Sequence, residues 1–142
     1  MNKLQINKTI RFNADKSKVW NALVNPEIIK LYLFGTEVIS EWEKGSKMVF
    51  QGEWNGSVFR DKGNIIEIEP EKLLKYNYWS IFSGLDDMEK NYSVITYQLE
   101  KEGESTLLHL TQEGFKDNFA KEHSEMSWDM ILEKMKEILE EG

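Results

Sequence analysis

The chain has 142 residues, 40% of them hydrophobic and 30% charged, which is the profile of one soluble globular domain spanning 1–142 and not of a disordered or fibrous chain. Its formal net charge of −7 argues against a nucleic-acid partner, because that binding rests on Lys and Arg displacing counterions from phosphate. Cysteine is absent, which excludes disulfides and thiolate chemistry. No stretch approaches the ~20 apolar residues that cross a bilayer, so a cytoplasmic protein without membrane insertion is expected.

Leu4, Ile6, Ile10 and Phe12 alternate with Gln5, Asn7, Thr9 and Arg11, the period-2 pattern of a half-buried strand. Asp15 or Ser17 can cap a following helix that carries Val19, Trp20, Ala22 and Leu23 at helical spacing. Asn25-Pro26-Glu27 ends it, and Pro26 suits the first turn of a second short helix. From Thr36 to Gly114 the pattern changes to strands and turns, with strands expected over Thr36–Trp42, Lys47–Trp54, Ser57–Glu69, Leu73–Trp79, Tyr92–Leu99 and Thr106–Glu113. Asn55-Gly56 is a hairpin signal because a type I′ turn needs positive φ at both central residues. Asp61-Lys62-Gly63 is read as a bulge inside a long strand, and Ser80–Lys90 as a looser connection. A long helix, Lys121 to Leu139, closes the chain with Trp128, Ile131, Leu132, Met135, Ile138 and Leu139 on one face. The expected fold is α+β: a curved, seven-stranded antiparallel sheet in the order β-α-α-β6-α, wrapped around the terminal helix.

This order resembles the helix-grip fold of the START-like superfamily, which includes START lipid-transfer domains, polyketide cyclases and the birch-pollen allergen type. Within it the chain is similar to small bacterial proteins named after the C-terminal domain of the activator of heat-shock protein 90 ATPase. The similarity is carried by Ala14, Val19-Trp20, Ala22-Leu23 and Asn25-Pro26-Glu27, by Gly63 through Ile68-Glu69-Pro70 with Leu74, and by Ser127-Trp128, Leu132 and Met135. Two places depart from the family pattern. Leu31-Tyr32-Leu33 stands where a Trp is common, and Gly45-Ser46 where a Gly-Gly is common. The resemblance implies three functions: binding of a hydrophobic small molecule, a chaperone-cofactor role in the stress response, or cyclase and dehydratase chemistry.

The residues themselves favour binding over catalysis. No nucleophile elbow, phosphate loop or dinucleotide fingerprint is present, so no cofactor is expected. His109 and His123, the two histidines, lack metal-ligand spacing, and no metal site is expected. His109 shares strand parity with Leu107 and Thr111 and is expected on the outer face, without a positioned partner. Asp86-Asp87 reads as a pair of solvated acids with nothing nearby to shift them. The acids within reach of an interior are Glu67 and Glu113.

What remains is the interior. Strand parity taken with the resemblance aims Met48, Phe50 and Trp54, then Ile66 and Ile68, then Tyr76 and Tyr78 toward the long helix. Ile95 and Tyr97 follow, with Leu108, Leu110 and Gln112 beyond them. Trp128, Leu132 and Met135 form the opposing wall, and Leu31, Tyr32 and Phe34 lie near its mouth. Such a stripe is either plain core or the lining of a cavity for an apolar or aromatic ligand. Phe119, His123, Met126 and Met130 mark a second helical face. It is expected to be singly exposed or packed under a loop, giving a monomer, with a homodimer as the alternative.

Overall fold

Short polar side chains set the helix starts. In the computed structural model, which describes residues 4–54, 56–80 and 85–140, Asp15 keeps extended angles and accepts from the Lys18 amide at 3.0 Å. This satisfies one of the orphan amides that opens helix α1, Lys16–Val24. Asn25 serves two helices at once. Its amide closes α1 on the Asn21 carbonyl, and its side chain accepts from Glu27 to open α2, Pro26–Tyr32, with Pro26 in the first turn. Asp117 accepts from the Ala120 amide at 2.8 Å, so the last helix, α3, begins at Asn118 rather than Lys121 and runs Asn118–Glu140.

Seven strands form one sheet in the order β1-β7-β6-β5-β4-β3-β2. They are β1 Gln5–Phe12, β2 Glu37–Ser40, β3 Lys47–Trp54, β4 Ser57–Glu69, β5 Leu73–Tyr78, β6 Ser93–Glu102 and β7 Ser105–Glu113, and all pairings are antiparallel. β2 is shorter than its β-rich sequence because Ser40 Oγ accepts from the Trp42 amide and Trp42 turns to φ 57. β6 runs on to Glu102 because the tight turn uses Gly103, at φ 60. Gly56, at φ 78, sits in the β3–β4 turn, and Asn55 lies outside the described residues.

One strand differs from expectation in a way that matters for the site. The irregularity in β4 falls between Ile65 and Glu67, not at Asp61-Lys62-Gly63. A bulge reverses which alternate residues face inward. Asp61, Gly63 and Ile65 therefore face the helix before it and Ile68 after it, and Ile65 takes the buried place expected of Ile66, which is only half-buried. Gly63 permits the close approach of β4 to β5: a Cβ there would lie 1.9 Å from the Asn77 carbonyl oxygen.

The concave face and α3 bury Trp128, Leu132, Met135 and Leu139 against Ile6, Phe12, Leu74, Leu108 and Leu110. Lys136 Nζ donates to the Arg11 carbonyl at 2.9 Å, and Glu140 accepts from the Asn13 amide at 2.8 Å, which fastens α3 to the edge strand β1. Among the described residues, no helix is long and apolar enough to cross a membrane.

Candidate functional site

Register places a chain of aromatic rings across the concave face. Phe50 on β3 meets Tyr78 edge-on at 5.1 Å and Tyr76 at 5.8 Å; Tyr76 lies 6.2 Å from Tyr97, and Tyr97 meets Trp128 edge-on at 6.0 Å. These centroid distances are those of favourable ring pairs. Ile95, Leu108 and Leu110 fill the sheet beside the rings, with Met48 next to Phe50 on β3. Most of the residues read from sequence as a candidate interior are therefore together. Trp54 belongs to β3, and its side chain lies outside those described. Leu31 and Phe34, read as lying near the mouth, are 54% and 60% exposed on the α2 side. Tyr32 is buried, but its hydroxyl donates to the Ala22 carbonyl at 2.8 Å and pins α2 to α1.

Every described buried side-chain nitrogen or oxygen has a hydrogen-bond partner. Trp128 Nε1 donates to Gln112 Oε1 at 2.7 Å, and Gln112 Nε2 donates to Ser93 Oγ at 3.1 Å. Burial pushes the Tyr76 hydroxyl up to about 12 and raises Tyr32 and Tyr97 well above the usual range, so all three stay protonated donors at neutral pH.

The structure adds a residue that the sequence reading missed. Asp61 is 3% exposed, faces inward opposite Phe50, and accepts from the Tyr78 hydroxyl at 2.5 Å. Burial first, then the Asp61 charge and this hydrogen bond, raise Tyr78 well above its usual range, against a smaller opposing pull from a Ser80 hydrogen bond. The acid of the interior is thus Asp61, not Glu67 or Glu113. The two adjacent isoleucines, Ile65-Ile66, were the available signal, since adjacent apolar residues in an alternating strand mark a parity change.

Three further arrangements lie outside this face. On the outer side of the sheet, His109 Nδ1 lies 3.0 Å from Thr9 Oγ1 and its Nε2 3.0 Å from Glu100 Oε2. His109 therefore does have positioned partners on both neighbouring strands, although it stands on an open sheet face. Asp87 is likewise not a bare solvated acid. It accepts from Lys62 and from the Tyr92 hydroxyl, and these hydrogen bonds, Lys62 first, hold its carboxyl below the usual range. Asp87, Tyr92, Asn64 and Asn77 line a depression of about 270 Å3. A groove of about 390 Å3 runs between β1 and α3, lined by Lys8, Ile10, Leu132 and Lys136 among others, with Lys8 paired to Asp129 at 2.8 Å. Neither is lined by a ring of the concave face.

Residues 13–140 match the family model described as Activator of Hsp90 ATPase homolog 1-like protein. A Cytophaga hutchinsonii protein with a solution structure is 39% identical, with 99% of this chain and 97% of that chain covered and a TM-score of 0.85. An HSP90 activator from Plasmodium falciparum shares the fold at 17% identity, covering 95% of each chain with a TM-score of 0.75. The Aha1 dimer from Colwellia psychrerythraea shares it at 20% identity, covering 96% of each chain with a TM-score of 0.74. No curated protein matches the chain.

Proposed function

The chain belongs to the Activator of Hsp90 ATPase homolog 1-like family, and on that premise we propose that it is a non-catalytic binding protein for an apolar or aromatic small molecule held between the sheet and α3. The observation that carries this reading is the unbroken run of rings from Phe50 through Tyr76 and Tyr97 on the concave face to Trp128 on α3. Ligand sites of this kind are mostly apolar with a few placed polar groups. The run carries phenol hydroxyls, and Gln112 sits at its far end. A core built for stability alone has little use for so many hydroxyls, each of which must be matched when buried. The inferred lining is Met48, Phe50, Tyr76, Tyr78, Tyr97 and Trp128, with Ile68, Ile95, Leu108, Leu110, Leu132 and Met135 behind them.

Screening a lipid and aromatic library by NMR is expected to give compounds that shift the resonances of Tyr78, Tyr97 and Trp128 together. If no compound moves any of the three, the reading fails. A chaperone-directed role is the second reading, supported by the family description itself. Stimulation of a heat-shock protein 90 ATPase by this chain, without any ligand, would favour it.

A further inference from the structure

We propose that the depression lined by Asn64, Asn77, Asp87 and Tyr92 is a second binding site, on the outer face of the sheet, for adjacent hydroxyls of a neutral sugar or similar polyol. It shares no residue with the concave-face lining inferred above and does not rest on that reading. Asn64 points away from α3, since its neighbours Gly63 and Ile65 are the buried, inward residues of β4. The sheet itself opens at this place. Lys62 and Trp79 exchange backbone hydrogen bonds, and β4 and β5 pair again at Ile65 and Tyr76. In that register Asn64 and Asn77 would be the next hydrogen-bonded pair, but the Asn64 amide donates to Asn77 Oδ1 at 2.7 Å instead. Asparagine is a poor strand residue, and β-branched residues here would favour a closed ladder, so sheet stability does not account for the two asparagines.

The commitments of each polar atom decide what the depression can take. Asn77 Oδ1 is held by the Asn64 amide, and both Nδ2 hydrogens remain to donate, with no partner among the described residues. Asp87 accepts one bond on each oxygen, from Lys62 and from the Tyr92 hydroxyl. A carboxylate has about four acceptor directions, so Asp87 accepts again beside them. The Lys62 and Asp87 charges offset each other, and the site therefore favours neither an anion nor a cation. It offers fixed donors beside fixed acceptors. A hydroxyl donates and accepts at once, so two on neighbouring carbons accept from Asn77 Nδ2 and donate to Asp87 together, the second in a charge-assisted bond. The Tyr92 ring flanks them with an apolar surface, and the volume of about 270 Å3 suits a single ring.

The test titrates the full chain by NMR with the methyl glycosides of glucose, galactose and mannose, with tetrahydropyran as the same ring without hydroxyls, and with phosphate and ethylammonium as the charged alternatives. At least one glycoside is expected to bind with a Kd of about 1–10 mM, shifting the Asn77 side-chain amide, Asn64 and Tyr92 together while Tyr97 and Trp128 stay in place. Tetrahydropyran and the two ions are expected to leave those signals unmoved. Asn77→Asp is isosteric and keeps an acceptor for the Asn64 amide but loses both donors, and it is expected to weaken the glycoside about tenfold or more. Asp87→Asn is expected to weaken it severalfold. No shift with any glycoside would overturn the proposal, as would equal shifts with tetrahydropyran, tighter binding of either ion, or undiminished glycoside binding in both variants. None of these outcomes bears on the concave-face reading, which is read at Tyr78, Tyr97 and Trp128.

Discussion

Trp128 carries two separable contributions. Its ring fills the concavity against Tyr97, and its indole N–H supplies a hydrogen bond to the buried Gln112 side chain. Trp128→Ala removes both and is expected to cost about 3–5 kcal/mol. Trp128→Phe restores much of the bulk but leaves Gln112 Oε1 without the indole donor, for an expected loss of about 1–3 kcal/mol. Denaturant midpoints with unchanged slopes measure both. A loss below about 1 kcal/mol for the alanine variant would mean that this side of α3 does not hold the sheet. The family resemblance pointed to Trp128, and the helical stripe placed it. Its pairing with Gln112 was not legible, because a side-chain hydrogen bond across elements depends on register, and register is set by the whole sheet.

At the scale of elements, the connection between β5 and β6 is fastened from outside the sheet. Trp79 donates from its indole to the Leu85 carbonyl at 3.2 Å, and Asp87 joins Lys62 on β4 to Tyr92 at the start of β6. Asp87 has its carboxyl held below the ordinary 3.8, so the clasp contributes fully above that value and is lost as pH falls through the lower folded value. Acid titration between about pH 5 and pH 2 is expected to loosen this connection, read as faster amide exchange at residues 85–92. Lys62→Met should move the loosening to higher pH; an unchanged midpoint would show that Lys62 does not hold Asp87. Much of the architecture could be read from alternation and turn residues: the order of elements along the chain, the helix break at Asn25-Pro26-Glu27 and the buried side of α3 follow from local pattern. The inner face of β4 could not. A run such as Ile65-Ile66 satisfies either parity, and placing the bulge a few residues early hid Asp61 by turning it outward. The charged clasp was equally hidden, since Lys62 and Asp87 meet only after β4 and β5 pair.

For the whole molecule, α3 presents an apolar stripe to solvent: Phe119, Met126 and Met130 are 76%, 69% and 61% exposed. The helix begins before Phe119, and these side chains are exposed as one of the two expected versions had it, not packed under a loop. Glu122, Glu125 and Asp129 stand along the same helix, and although Lys121 and Lys8 offset the last two, a self-complementary contact would still bring acids from both copies together. Sedimentation at micromolar concentration is therefore expected to give a monomer; a dimer that Met126→Glu dissociates would reverse that expectation. The sheet's connectivity has a different consequence, for the order of assembly. β2 through β7 pair each with its neighbour in the chain, but β1 pairs only with β7, and Thr9 meets His109 across 100 residues. β1 is synthesised ahead of the other six strands and has no partner in this sheet until β7 follows, and α3 clips its edge only after that. The meander can zip by successive hairpins while β1 waits, so closure of the β1–β7 seam is expected to be the slow, long-range step of folding, and until it closes the chain exposes Ile6 and Phe12, two of the most deeply buried side chains of the finished core.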